Sequence, residues 1–300
     1  MPRVSIGMPV YNGERFIQQS VESLLAQTYG DFELIITDNA STDGTEEICR
    51  GLVAMDKRVR YVRNKRNLGG PGNFRRVFSL CSGEYHKWST ADDYWDPTVV
   101  EKCVALLDRR PDVVLCYPKT DFYDESGNFI GHYEDPLHLQ EESAADRFMR
   151  VIEETMYCHA HLGLIRRSAM KRTSLIGGEL ASDIRFLAEI SLYGKFFVLP
   201  EYLFFRRFHE TSSSWERRPQ GGNQREEEWD RQVSYYDPER NTFSGISLNY
   251  WRRYANLLFA VTRAPVDIRE KVELYRYLGR KMRRHRRLLL KELRGAILRP

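Results

Sequence analysis

Apolar and polar positions alternate in two different periods along the first 117 residues. Short apolar runs, Val4-Ser5-Ile6-Gly7-Met8, Phe32-Glu33-Leu34-Ile35-Ile36, Val59-Arg60-Tyr61-Val62, Tyr85-His86-Lys87-Trp88 and Val113-Val114-Leu115-Cys116-Tyr117, have the length and content of strands. Between the first two, Ile17, Val21, Leu24 and Leu25 recur at helical spacing. Asp43-Gly44-Thr45-Glu46 has the spacing of a capping box and predicts a second helix. Gly72 to Leu80 predicts a third, and Asp96-Pro97 a fourth that reaches Arg109 with proline in its first turn. Strand and helix in regular alternation predict right-handed crossovers and a mostly parallel sheet flanked by helices.

After Pro118 the rhythm loosens. Phe122 to Ile130 predicts a hairpin turning at Glu125-Ser126-Gly127-Asn128, and Gln140 to Glu154 an acidic helix beginning near Ser143. Leu162 to Arg166 reads as a strand, Ser182 to Leu192 as a helix, and Phe196 to Phe208 as two β segments broken at Pro200-Glu201. Thr211 to Thr242 has few aliphatic residues and predicts a loop or lid. Helical spacing returns in Trp251, Tyr254, Leu257, Leu258 and Val261, and again from Val272 to Leu298. The expected organisation is a ligand-binding half over 1–118, a second half of the same domain over 119–210, a flexible loop or lid over 211–242 and a basic helical extension over 243–300.

The strand ends carry the chemistry. Strands of a parallel sheet open their carboxyl ends onto one edge, where ligands of α/β folds bind. Three runs here end in Tyr11-Asn12-Gly13-Glu14, Asp38-Asn39 and Asp92-Asp93. Two adjacent carboxylates repel each other, and a loop at a sheet's mouth tolerates them best beside a cation. A hard divalent ion held by one or two carboxylates and by phosphate oxygens is the usual way Mg²⁺ meets a nucleotide. A helix-capping pair ahead of Pro97 is the alternative for Asp92-Asp93. Asp38 can accept from the imide N–H of a pyrimidine, with Tyr11 facing the base and the backbone at Pro9 and Val10 close by. An ordinary turn and cap over Asn39 to Asp43 is the alternative there. Arg63 to Asn73 joins a basic cluster to a glycine-rich bend suited to a diphosphate, without a GxGxxG or GxxxxGK[ST] fingerprint.

Charge and cysteine usage narrow the classes. The 42% hydrophobic and 29% charged shares exclude a disordered or membrane-embedded chain without selecting a function. The net charge of +4 is uneven: Lys271 to Pro300 holds 11 Lys or Arg against 2 Glu, so the other 270 residues are mildly acidic. Such a tail suits an anionic membrane surface over residues 271–300, or packs as a solvated helix on the body or a second subunit, which leaves a homo-oligomer open. Nucleic acid is not an expected partner, because the body carries no recognised binding motif. Cys49, Cys81, Cys103, Cys116 and Cys158 are odd in number, scattered and without a CxxC pair, which predicts reduced packing residues. The absence of an apolar leader or an 18-residue apolar stretch predicts a cytoplasmic protein, peripheral at most on the inner face of the membrane.

Ser5-Ile6-Gly7-Met8-Pro9-Val10-Tyr11-Asn12-Gly13-Glu14, with Asp38-Asn39-Ala40-Ser41-Thr42-Asp43-Gly44-Thr45 and Asp92-Asp93, resembles family 2 glycosyltransferases of the GT-A fold over about residues 3 to 210. The resemblance implies an α/β, Rossmann-like fold and a metal-dependent, inverting transfer from a nucleoside-diphosphate sugar, a UDP-sugar favoured, to a glycan or lipid-linked acceptor. It implies that Pro9, Val10, Tyr11, Glu14 and Asp38 contact base and ribose, with Arg66 supporting base or diphosphate. Asp93 would bind Mn²⁺ or Mg²⁺, and Asp92 the ribose or the metal. Thr90 departs from the pattern, standing where many members carry a further Asp. Asp183 occupies the position of the general base, with Glu179 as second candidate, and Ser182 replaces the acid that commonly precedes it. Arg206-Arg207-Phe208-His209 resembles the closing Arg-x-His signature, which makes His209 a further metal ligand or diphosphate contact. Trp95 and Trp215 could stack on sugar faces, with core packing as the alternative. A nucleotidyltransferase, which lacks support in Pro9 to Gly13, and a noncatalytic nucleotide-binding scaffold are the rival classes.

Overall fold

A computed structural model describes residues 1–179, 181–210 and 248–297. The polar stretch 211–242, including Trp215, lies outside the described residues. The first half alternates as its pattern requires: β1 (Val4–Val10), α1 (Ile17–Leu25), β2 (Phe32–Asp38), α2 (Thr45–Met55), β3 (Val59–Arg63), α3 (Gly69–Leu80) and β4 (Tyr85–Trp88). Then come β5 (Tyr94–Trp95), α4 (Val99–Arg109), β6 (Val113–Tyr123), β7 (Phe129–Tyr133) and α5 (Ala144–Glu154). A 3₁₀ turn (His159–Leu162) leads to β8 (Leu164–Arg166), α6 (Arg167–Met170), α7 (Ser182–Ser191) and β9 (Lys195–Arg207). Three helices close the described chain: α8 (Asn249–Arg263), α9 (Ile268–Arg284) and α10 (Arg286–Ile297).

One nine-stranded sheet runs in the order β3-β2-β1-β4-β8-β6-β9-β5, with β7 on β6. It is mixed. β1 to β4 pair in parallel and so do β6 and β9, whereas β8, β5 and β7 pair antiparallel. Strand direction is not written in a hydrophobic run, so periodicity could place β8 without orienting it. Because β8 reverses direction twice, β6 and β9 run the same way as β1 and β4. The ends of β1, β2, β3, β4, β6 and β9 therefore share one edge.

Two boundaries move. β6 continues past Pro118, and β9 is one strand where a break was expected. The reason lies in their pairing: Pro118 faces Leu199 and Lys119 faces Tyr202, so Pro200-Glu201 bulges out of register without ending the strand. The glycine-rich bend is the first turn of α3, entered through Gly69 at φ +71. The capping box at α2 does not close. Asp43 Oδ1 accepts from the Thr45 N–H (3.1 Å), but Glu46 turns outward to Arg50 and Arg63.

One apolar cluster reaches from Val4 and Ile6 of β1 to Leu257 and Val261 of α8 and Leu274 and Leu278 of α9. The basic extension thus shares the core of the sheet domain. All five cysteines are buried and free. Trp95 is buried, stacked on Phe204 at 4.2 Å between centroids, with the Lys87 ammonium 3.0 Å from its ring centre, so it packs the core and does not face a sugar.

Asp135, just past β7, is buried and its Oδ1 accepts the Leu137 N–H at 3.1 Å. Burial pushes its pKa up to about 6. The protonated form suits the fold, so this group's contribution is intact below about pH 4 and is lost as pH rises through about 6. Asp135→Asn keeps the acceptor and stays neutral. It should be more stable than wild type at pH 7 by about 3 kcal/mol, with a flatter dependence of melting temperature between pH 4 and 6, read by thermal denaturation across that range.

Candidate active site

The shared sheet edge is built from loops locked to one another. In the loop after β1, the Asn12 N–H donates to Ser41 Oγ (2.9 Å), the Gly13 N–H to Thr45 Oγ1 (2.8 Å) and the Glu14 N–H to Asp43 Oδ2 (3.1 Å). Asn12 Oδ1 in turn accepts from the Thr42 N–H (2.8 Å), and Glu14 Oε2 accepts from the Gly44 N–H (2.6 Å). Gly13 is required by this close approach, since a Cβ there would lie 2.6 Å from Val10. Asn12, Ala40, Cys158 and Ala181 all hold positive φ in loops at this edge, and backbone strain of this kind gathers where a fold presents a site.

Pro9 and Val10 end β1, and Tyr11 stands 49% exposed beyond them, with Glu14 exposed on the same loop and Arg66 exposed on the loop that follows β3. Asp38 differs from expectation. Its carboxylate is wholly buried, Oδ1 accepting from the Ser41 N–H (2.8 Å) and Oδ2 from the Tyr61 hydroxyl (2.5 Å) and Arg63 Nη1 (2.6 Å). Burial alone would raise its pKa, but the bonds from Ser41 and Tyr61 and the Arg63 charge leave it lowered. Asp38 therefore orients Arg63 and Tyr61 at this edge.

Asp92 and Asp93 follow β4 and split their roles. Asp92 Oδ2 lies 3.0 Å from His209 Nε2, joining two residues 117 positions apart. Asp93 is buried, its Oδ2 accepting from the Thr90 hydroxyl (2.7 Å) and its Oδ1 from the Arg207 N–H (2.9 Å). Thr90, at the position that departs from the family pattern, thus supports Asp93. Against the burial that would raise it, His209 and Arg206 hold the Asp92 carboxyl below its ordinary range. Burial and the Asp92 charge push Asp93 up to about 6. An imidazole beside a carboxylate, as in His209 and Asp92, is a ligand pair that Mn²⁺ takes, and adjacent carboxylates such as Asp92 and Asp93 are of the kind that Mg²⁺ takes. Among the described residues no three His, Cys, Asp or Glu are gathered for a metal, so such an ion would complete its shell with phosphate oxygens and water.

Asp183 opens α7, half-buried, with Oδ1 accepting the Ile184 N–H at 2.8 Å. It neighbours His161, whose pKa burial lowers and the Asp183 charge partly restores. Glu179 is placed otherwise. It is buried, accepts from Arg185 Nε and from Asn256 Nδ2 (3.0 Å), and Arg185 also binds Glu189. Glu179 is thus committed to a buried Glu–Arg–Glu triad, whereas Asp183 is half-buried at the start of its helix.

The sequence family described as Glycosyl transferase family 2 matches residues 5–173, more than half of the chain. The chain belongs to this family. It is a glycosyltransferase of GT-A fold, and the nucleotidyltransferase and scaffold alternatives fall with that. An uncharacterized glycosyltransferase of Haemophilus influenzae is 28% identical over 71% of the chain and 68% of its own length. Escherichia coli chondroitin synthase is 28% identical over 71% of the chain but only 30% of its own length. Among solved structures, S. aureus TarS 1-349 in complex with UDP-GlcNAc superposes with a TM-score of 0.65 at 16% identity, over 94% of this chain and 72% of that one. The Pyrobaculum calidifontis mannosyltransferase PcManGT, in complex with GDP-Man and Mn²⁺, gives 0.54 at 13%, over 99% and 86%. No helix among the glycosyltransferase's described residues is long and apolar enough to cross a membrane.

Two constellations in this glycosyltransferase escaped the sequence. Asn39, Asn64 and Asn73 are buried at the site's floor, where Asn73 Nδ2 donates to the Thr37 carbonyl (2.8 Å) and Asn64 Nδ2 to Asn73 Oδ1 (2.9 Å), tying the end of β2 to α3. His159 bridges Thr120 Oγ1 (2.9 Å at Nδ1) and Arg206 Nη1 (2.7 Å at Nε2). A guanidinium only donates, so Nε2 accepts and Nδ1–H donates to Thr120. Burial, with the Arg206 charge, keeps this imidazole neutral by driving its pKa well down. The repeated Asn in Asn64-Lys65-Arg66-Asn67 was a legible signal; the His159–Arg206 pairing was not.

Proposed function

We propose that this glycosyltransferase moves a sugar from a nucleoside-diphosphate sugar, UDP-sugars favoured, to an acceptor hydroxyl with inversion at the anomeric carbon and with a divalent cation. The observation that carries the reading is the joining of Asp92 and His209 at the edge where β1, β2, β4 and β9 end, with Asp183 opening the helix beside His161. The UDP-GlcNAc and the GDP-Man with Mn²⁺ held by proteins of like fold support donor and metal class. Similarity to a chondroitin synthase supports a glycan acceptor, and a lipid-linked one is the alternative.

In this mechanism Pro9, Val10, Tyr11, Glu14 and Arg66 surround the nucleoside, and Asp38 acts on it through Arg63 and Tyr61. Asp183 takes the proton of the acceptor hydroxyl as its oxygen bonds to the anomeric carbon, and the bond from that carbon to the diphosphate oxygen breaks on the opposite face. Arg206, whose charge reaches Asp92, Asp93 and His161, is a fixed cation for the departing diphosphate, aimed by His159. A cation held by Asp92, Asp93 and His209 would supply Lewis-acid neutralisation of the same charge. Residues 1–118 form the donor half and 119–210 the acceptor half.

The test is a panel of UDP-, GDP- and dTDP-sugars with Mn²⁺ or Mg²⁺, read by thermal shift, nucleoside-diphosphate release and NMR of the product's anomeric proton. Retention of configuration overturns inversion, turnover undiminished by chelator overturns metal dependence, and no response to any donor overturns the whole reading. A narrower prediction concerns His159. His159→Phe should raise KM for the donor on the order of tenfold by unseating Arg206. His159→Gln, which keeps an acceptor at that position, should recover most of it, and steady-state kinetics of both variants checks this.

A further inference from the structure

The segment expected to meet a membrane does not hang free. α10 packs back on α8: Leu289 is buried, its carbonyl accepts from Trp251 Nε1 (3.0 Å), Tyr254 OH meets His285 Nδ1 (2.7 Å), and Glu292 accepts the Tyr250 N–H (3.0 Å). α9 turns Leu274, Tyr277 and Leu278 inward, and its Lys281 bonds Glu153 of α5 (2.6 Å). What remains exposed of α9 is its outer face, which adjoins the outside of α8.

Ile268, Val272 and Tyr275 recur at i, i+4 and i+7 on the outer stripe of α9, and their exposures are 72%, 39% and 37%. Phe259 of α8 is 54% exposed one turn from Thr262, which meets Tyr275 OH at 2.9 Å and accepts from Lys271 Nζ at 2.9 Å. The four apolar side chains are thus exposed on two helices that these bonds tie together. Their rim is basic: Arg269, Arg276, Arg280 and Arg283 are exposed on α9, Lys271 is half-buried at its edge, and Arg263 lies 4.4 Å over the Phe259 ring. Of the acids on this helix, Asp267 caps its start by accepting the Glu270 N–H (2.8 Å), Glu270 is turned away to Ser143 Oγ (3.1 Å) and the Ala145 N–H, and Glu273 is exposed.

We propose that this face of α8 and α9 docks on an anionic lipid surface, with Phe259, Ile268, Val272 and Tyr275 entering the headgroup boundary and the surrounding arginines meeting lipid phosphates. Large apolar residues on an exposed stripe with basic flanks are the composition of an interfacial helix. The acids of this face, Asp267 and Glu273, are outnumbered by Arg263, Arg269, Lys271, Arg276, Arg280 and Arg283, so a second copy of this chain would bring a net positive surface against itself. Charge complementarity selects the lipid. The inference deepens the reading of a lipid-linked acceptor, since the same surface that docks would keep the sheet edge near such a substrate, but it is tested without turnover.

The experiment is flotation of the full chain with phosphatidylcholine vesicles, with and without phosphatidylglycerol. Wild type should float with the anionic vesicles only, and less as salt rises. R276Q/R283Q should lower partitioning about 25-fold, since each basic residue near the surface is worth about fivefold. I268S/V272S should lower it at least about tenfold by removing the insertion, while both variants, altered only at exposed positions, keep the wild-type melting temperature and donor-dependent nucleoside-diphosphate release. Equal flotation of variants and wild type overturns the proposal. So does a concentration-dependent dimer that I268S/V272S abolishes without any lipid binding by wild type. Loss of donor turnover in wild type with flotation intact would fail the reading of function and leave this surface standing.

Discussion

Asn in place of Asp183 is expected to reduce turnover by about 10² to 10⁴-fold, the contribution of a positioned general base. Donor binding should stay near wild type, because Asp183 stands at the start of α7 beside His161 and the residues assigned to the nucleoside lie on the loops after β1 and β3. The amide retains the bond to the Ile184 N–H, so the helix start is preserved and stability should change little. Steady-state kinetics, calorimetric titration with donor and thermal denaturation give the three readings. A variant with full turnover sinks the assignment; weaker donor binding with unaltered kcat would place Asp183 in recognition.

Arg185→Met is expected to cost about 3–5 kcal/mol, the range for removing one partner of a buried ionic group. The guanidinium is fully buried and serves Glu179, Glu189 and the Leu175 carbonyl (2.7 Å). Without it two carboxylates stay behind in apolar surroundings, beside a Ser174 N–H that Glu189 already accepts (2.7 Å). Melting temperature should fall on the order of 10 °C. Glu179→Gln should cost less, since an amide oxygen can still accept from Arg185 and Asn256, and should retain most turnover per folded molecule. Loss of turnover in Glu179→Gln equal to that in Asp183→Asn, at unchanged melting temperature, would return the base to Glu179. The triad also explains why the extension is part of the domain: Asn256 and the Arg263 side chain, which donates to Ser174 Oγ (3.1 Å), brace the segment that leads into Asp183.

The first half of the fold was legible because parallel strands buried on both faces write themselves as continuous apolar runs, and their crossover helices as 3.6-residue repeats. β1 begins where its run does, and Ser143 caps α5 as its position predicts, its Oγ accepting the Asp146 N–H (3.2 Å). Legibility failed where pairing overrides local pattern. Pro200-Glu201 looks like a break to any local reading, but β6 supplies partners on both sides of the bulge and the strand continues. The basic run Arg280 to Arg287 looks detached until Trp251 and Tyr254 take up its helix.

By itself the sequence determined the strand–helix alternation, the family motifs and the carboxylates that end the strands, because each is a property of neighbours along the chain. Only tertiary structure decided their states. Asp38 and Asp93 are both strand-end acids, yet the first is saturated by Tyr61 and Arg63 and lowered, while the second is buried beside another charge and raised. Asp183 and Glu179 differ likewise, one half-buried at a helix start and the other locked to Arg185. A side chain's protonation and availability depend on charges and dipoles within a few ångströms, and those are supplied by residues the chain brings back from far away.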